Sequence, residues 1–361
     1  MQLAIPGRME TINEHRGRGG RIAAVFPIHY SRALLRAFNL LPVEVWGPPG
    51  LAGAHGAAHL QPYVCSIVHN AISFLQTGGL KVADVLVVPH ACDSLQGLGS
   101  ILIDFIQPEQ AVLPLYLPRG RRESDLDFFT AELHSLYESL VAVTDYAPSD
   151  DDLMECVQRE ERADGMLAKL HQLRQTLQLP DISFYRLVRS REYLPAERFM
   201  ALAEQALAQA GSARQDGGIP LILSGILPEP MRLLEAFSQV GAYVAADDLA
   251  CCGRRLYPLG ESEDPLRRVA ERILNSPPDS TRGDSIEARC DHLLHLAKTS
   301  DARGVVFYEV KFCEPELFDL PLLCRALDAA EVASITVEVD INEPLPQRIL
   351  TRLEAFVEMI A

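Results

Sequence analysis

A chain of 361 residues with 48% hydrophobic content is long enough for two domains or three, each with a proper core. Its formal net charge of −16, from 49 acidic against 33 basic residues with no long basic cluster, argues against nucleic acid as a partner. No apolar run of about 18 residues exists to span a membrane, and the polar start MQLAIPGRMETINEHRGRGG lacks the apolar core of a signal peptide, so a cytoplasmic protein is expected.

Residues 1–20 read as a flexible arm, because glycines crowd their end and no apolar period precedes them. From Arg21 the order is strand (RIAAVFP), helix (SRALLRAFNLL) and strand (VEVWG). A Gly/Ala/Pro-rich loop follows, and then a helix that begins close to Cys65 and stops at Gly78 and Gly79. The run VADVLVVPHACDSLQG is a buried strand that ends, turns, and delivers Cys92 into the loop before a helix. AVLPLYLP is one more strand, interrupted by Pro114. Between residues 121 and 215 strand signals vanish and long amphipathic patterns take over, which predicts a helical insert. After Gly217-Gly218 the alternation restarts: IPLILSG, a helix, AYVAA leading to Cys251 and Cys252, and GVVFYEVKFCEPE, where Cys313 stands between a strand and a helix. The expected fold is therefore α/β: two Rossmann-like parallel-sheet domains, 21–120 and 216–361, with helices 121–215 between them and a site at the interdomain cleft.

Eight cysteines without an export signal are poorly explained by disulfides, so some should bind metal or do redox chemistry. Cys65, Cys92 and Cys313 occur at helix starts or just after strands, where open parallel sheets bind ligands. Three convergent thiolates suit an iron-sulfur cluster or zinc, and would leave one corner of a cubane open. Cys251 and Cys252 are candidates for additional ligands. Cys156, Cys290 and Cys324 lie in helical patterns and read as core, and His90 as a turn residue. Asp247 and Asp248 are expected to hold loop amides, Arg254 and Arg255 either to meet a ligand's phosphate or to be solvated, and Glu354 and Glu358 to lie on an exposed face.

Several of these stretches together resemble the family of 2-hydroxyacyl-CoA dehydratase and benzoyl-CoA reductase subunits, which also contains double-cubane cluster proteins. They are LLPVEVWG, PYVCS with Cys65, PHACDSL with Cys92, SGILPEPMRLLEAFSQVGAYVAADDLACCGRR, VKFCEPE with Cys313, and TRLEAFVEMI. The likeness covers Arg21 to about Pro118 and Gly218 to the C-terminus. It departs at Phe38-Asn39, where a small Ala-Gly pair is usual, at Glu314, where Asp is common, and at the doubled cysteine.

The resemblance implies a 4Fe–4S cluster on Cys65, Cys92 and Cys313, with low-potential one-electron reduction of a CoA thioester to a ketyl radical. It also implies a homologous second subunit or homodimer, and an ATP-dependent iron-sulfur activator. No P-loop signature occurs in this chain, so ATP would be hydrolysed elsewhere. Two other readings stand beside this one. A double-cubane 8Fe–9S reductase of small molecules would need Cys251 or Cys252 and further thiols at the site. A non-catalytic electron-relay or zinc subunit would have a closed four-ligand site and no substrate pocket.

Overall fold

The computed structural model describes residues 3–48, 58–211 and 217–361. The apolar runs read from the sequence form two four-stranded sheets, every strand pair parallel. The first holds β1 (Arg21–Val25), β2 (Leu40–Glu44), β3 (Val85–His90) and β4 (Ala111–Tyr116) in the order β2-β1-β3-β4. The second holds β5 (Ile219–Gly225), β6 (Ala242–Leu249), β7 (Gly304–Val310) and β8 (Ala333–Val339) in the order β6-β5-β7-β8. This is the α/β fold expected, with the same strand order twice. In each sheet the order reverses beside the first strand, so the crevices open after β1 and β3 and after β5 and β7. Pro114 does not interrupt β4, because β4 is an edge strand and its missing N–H faces no partner.

Strands buried on both faces need helices on both. One face of the first sheet, Ala23, Val25, Val85 and Val87, packs on α2 (Arg32–Ala37), α5 (Glu123–Thr144), α6 (Asp150–Gln172) and α10 (Pro265–Leu274). Helix α10 thus crosses from the C-terminal half of the chain to cover the first sheet. The other face, Ala24, Phe26, Leu86 and Val88, shares one continuous core with Leu221, Leu223, Val306 and Tyr308 of the second sheet. Helices α3 (Ser66–Gln76), α7 (Asp181–Ser190) and α8 (Ala196–Leu207) fill that shared core. Helices α9 (Arg232–Gln239) and α13 (Gln347–Ile360) close it on the side of the second sheet, whose far face carries α11 (Ile286–Thr299) and α12 (Glu314–Ala329). No described helix is long and apolar enough to cross a membrane.

One expectation is corrected outright. Residues 8–17, read as part of a flexible arm, form helix α1 (Arg8–Gly17). Its docking is mostly polar, which an apolar period cannot reveal: Arg8 donates to the Glu44 carbonyl at 2.5 Å and to Glu192 at 2.9 Å, and Arg16 to the Val82 carbonyl at 2.7 Å. Ile12 is its main buried apolar anchor. The turn at Phe38-Asn39 also has a physical reading. Asn39 has φ 56°, the left-handed conformation for which glycine is best suited and asparagine next.

Candidate functional site

Cys65, Cys92 and Cys313 are each the residue immediately before a helix, respectively α3, α4 (Asp93–Ser100) and α12. Cys92 follows β3 in extended conformation, φ −139° and ψ 167°. Cys313 is reached through Phe312 at φ 64°, which bends the chain from β7 into α12 while the Cys313 N–H closes on the Val310 carbonyl at 3.0 Å. A helix start presents unpaired N–H groups and the positive end of the dipole, so all three sulfurs sit where negative charge is favoured. The amides of Ile67 and Val68 and the Ser94 hydroxyl point at the Cys65 sulfur, and the amides of Ser94 and Leu95 at that of Cys92.

The thiols also act on one another. Burial raises Cys65 and pushes Cys92 up to about 12, with the Cys65 charge adding to the second shift. Cys313 is raised well above the ordinary thiol range by burial, then by Cys65, Glu316, Cys92 and Glu309. A helix start in the shared core, the end of β3 and the end of β7 in the second sheet therefore deliver three thiols into one electrostatic neighbourhood. Such thiols keep their protons until a cation replaces them. Among the described residues, no three His, Cys, Asp or Glu side chains are gathered tightly enough for a single metal ion. The soft donor set and the helix starts suit an iron-sulfur cluster or another soft metal.

The other cysteines lie elsewhere. Cys251 and Cys252 follow β6 with their sulfurs 3.3 Å apart; Cys251 acts on Arg189 and Cys252 on Tyr185, and neither is among the leading influences on the three helix-start thiols. Cys156 packs in the core behind the first sheet, and Cys290 and Cys324 flank the α11–α12 core. His90 stacks edge-on against Tyr116, and Glu354 and Glu358 are exposed on α13.

Asp247 holds loop amides as expected, accepting from the N–H groups of Leu249 at 3.2 Å and Gly253 at 2.8 Å. Asp248 does not. It accepts from Arg254 and Arg289 at 2.9–3.1 Å, and Arg254 also reaches Glu316 at 2.6 and 2.9 Å. Arg255 is likewise buried and forks onto Glu44 at 2.7 and 2.8 Å. Neither arginine is solvated or open to a phosphate, because each guanidinium is consumed by an internal carboxylate.

Three buried polar groups escaped sequence reading. Glu44 accepts from Tyr30, Arg32, Trp46 and Arg255; burial pushes its carboxyl upward, but Arg255 and Arg32 overcome it and hold it at about 2. The only hint was a glutamate at the end of an apolar strand, LLPVE. His29, fully buried after β1, lies 3.4 Å from Asp279, with Ile28 and His29 both in left-handed backbone. A β-branched residue there is strained, and nothing local announces it. Glu309 stands four residues before Cys313 with Oε2 unpartnered; burial, and then Glu316, push it up to about 8.

A carboxyl raised in the folded state favours the protonated form, so folding stability is intact below its unfolded value near 4.3 and falls as pH climbs toward about 8. The metal-free chain is expected to lose on the order of a few kcal/mol over that window through Glu309. Glu309→Gln should flatten this slope, and urea midpoints at pH 5 and pH 8.5 measure it.

The fold and these residues define a class: a two-sheet α/β protein in which helix-start cysteines from both halves are brought together beside the sheet ends. The chain belongs to the 2-hydroxyglutaryl-CoA dehydratase, D-component family, whose model matches residues 27–360, the middle helices included. It is 24% identical over 351 residues to one of the benzoyl-CoA reductase subunits of Thauera aromatica, covering 94% of this chain and 91% of that one. It is 25% identical over 365 residues to the beta subunit of lactoyl-CoA dehydratase of Anaerotignum propionicum, covering 98% and 94%. Against the beta subunit of (R)-2-hydroxyglutaryl-CoA dehydratase of Acidaminococcus fermentans the figures are 23% over 360 residues, 96% and 94%.

Proposed function

We propose that this chain is the iron-sulfur subunit of a 2-hydroxyacyl-CoA dehydratase or benzoyl-CoA reductase type of enzyme, with one 4Fe–4S cluster held by Cys65, Cys92 and Cys313. The observation that carries the reading is the convergence of three thiols at helix starts, drawn from both halves of the chain and packed on one shared core. When bound, the cluster would supply single low-potential electrons to a CoA thioester, whose ketyl form would expel a hydroxyl on the adjacent carbon as hydroxide. The chain's own part is to bury the sulfurs from water, to aim the Ile67, Val68 and Leu95 amides at them, and to keep a proton on Glu309 beside Cys313.

The relatives are each named as one subunit of a larger enzyme, which supports a second, homologous subunit as partner. With no P-loop in the chain, an external ATP-dependent iron-sulfur activator is the fitting electron source. An anaerobic, cytoplasmic setting suits such a cluster. Neither Cys251 nor Cys252 is among the leading influences on the three thiols, which supports one cubane over a double cubane.

Anaerobic purification with iron and sulfide counting tests the reading. About four irons and four sulfides per chain are expected; about eight irons would turn the reading to a double-cubane reductase, and zinc without sulfide to a non-catalytic metal subunit.

A further inference from the structure

A cavity of about 370 Å³ lies on the shared-core face of the first sheet, with Phe74 of α3 against it. Ala24 and Val43 form its floor, Phe74 and Leu80 one wall, Ile12 of α1 another, and Leu227 from the second half a third. Protein interiors rarely leave a void much larger than a water molecule, and an apolar void of roughly 150 Å³ already admits benzene. A cavity of this size at the junction of two sheets has the dimensions and lining of a small-molecule site.

Its two ends differ. At one end Gly47 packs onto the first turn of α3 so closely that a Cβ would stand 2.6 Å from the Ile67 carbonyl and 2.5 Å from Asn70 Cβ. Cys65 precedes that turn. The other end lies past the last turn of α3, at Leu80 and Ala83.

A second, more open chamber of about 580 Å³ adjoins the first and shares Arg8, Arg189 and Glu229 with it. Arg8 and Arg189 are already held by Glu192, and Arg189 also by Glu229. Arg186, exposed in the outer chamber, has no ion pair or hydrogen bond among the described residues.

We infer that the inner chamber takes the aromatic or medium-length aliphatic acyl group of a CoA thioester, and that the outer chamber takes the CoA arm, with Arg186 facing its phosphates. Helix α1 is then a wall of the ligand site. The inference rests on the CoA-thioester reading above and adds where the acyl group lies and which residues limit its size. Carbonyl and sulfur would sit at the Gly47 end, near the first turn of α3, and the apolar tail would run toward Leu80. Small acyl groups would leave the chamber part-filled and bind weakly.

Calorimetric titration of the anaerobically purified full chain with free CoA, acetyl-CoA, hexanoyl-CoA and benzoyl-CoA reads this directly. Hexanoyl-CoA and benzoyl-CoA should each bind at least about tenfold tighter than acetyl-CoA, since each buried methylene adds affinity. Ala83→Phe and Met9→Trp, which fill the chamber from opposite sides, should abolish that preference and leave free CoA unchanged. Arg186→Glu should weaken every CoA ligand by a similar factor. Met9 is half exposed, so its variant carries the test if Ala83→Phe fails to fold, as judged by thermal melting.

Equal affinity for acetyl-CoA and hexanoyl-CoA, or a preference that survives both filling variants, overturns the inference. Iron and sulfide counted on the same samples separate the two readings. A missing acyl preference with iron retained removes the cavity assignment alone. A preference in a chain without iron supports the cavity and removes the cluster.

Discussion

Cys92→Ser and Cys313→Ser should each lower iron from about four per chain to below about one, with sulfide falling in parallel. Cys156→Ser and Cys324→Ser, in helices away from the three thiols, should keep the full complement. The size of the loss follows from where the sulfurs stand. Each is a thiol whose proton is costly to remove, so it becomes a thiolate only while iron occupies its place. Serine replaces the soft donor with a hard hydroxyl in a site that disfavours its deprotonation even more. The remaining two cysteines then hold a charged cluster by two corners, with one helix start left unengaged. Iron and sulfide analysis with electron paramagnetic resonance of the reduced sample checks the outcome. Full retention of iron in both variants would remove the shared site, and loss of iron in Cys251→Ser would bring the doubled cysteine back into it.

The thiols were legible in the sequence because their signals are local. An apolar run, a turn and a helix start lie within about a dozen residues for Cys92 and for Cys313, and strand order then carries both to the same ends of parallel sheets. The arginines were illegible because their partners are distant: Arg255 meets Glu44 across 211 positions and Arg254 meets Glu316 across 62. Exposed and buried arginines look alike until the carboxylate that buries them is placed. Helix α1 was missed for a similar reason, since Arg8 and Arg16 dock on backbone carbonyls that exist only after β2 and the turn before β3 have formed. Adjacent cysteines were ambiguous because spacing alone does not say which way a loop faces. The cavity beside α3 had no sequence signal, since it is bounded by residues from both ends of the chain.

Arg254→Met should destabilise the chain by about 3–5 kcal/mol, the usual consequence of removing one member of a buried ion pair and leaving the other charged. Arg254 is fully buried between Asp248 of β6 and Glu316 in the first turn of α12, and Arg289 of α11 supplies the other cation. Without Arg254, Asp248 and Glu316 share Arg289 alone, and Glu309 stands close by as a further acid. Urea unfolding measures the loss. Arg254→Met combined with Asp248→Asn and Glu316→Gln should recover part of it, because no uncompensated carboxylate then remains.

The pH dependence has a definite sign. Burial raises the Asp248 carboxyl, but Arg254 and Arg289 overcome this and hold it far below the usual carboxylate range. A depressed carboxyl contributes stability above its unfolded value near 3.9, and that stability is lost as pH falls toward the folded value. The parent should therefore resist acid until well below pH 4, where Glu44 at about 2 behaves likewise, while the deficit of Arg254→Met relative to the parent should shrink as acid protonates the carboxylates it leaves unpaired. Glu316 lies three residues after Cys313 on the same helix, so the arginine that neutralises it also fixes the helix start that presents the sulfur. Arg254→Met is accordingly expected to release iron to a chelator several-fold faster than the parent at neutral pH, whereas Arg267→Met, on an exposed ion pair with Glu123 and Asp127, should not. Equal release rates in the two variants would show that the ion network stabilises the fold without holding Cys313 in place.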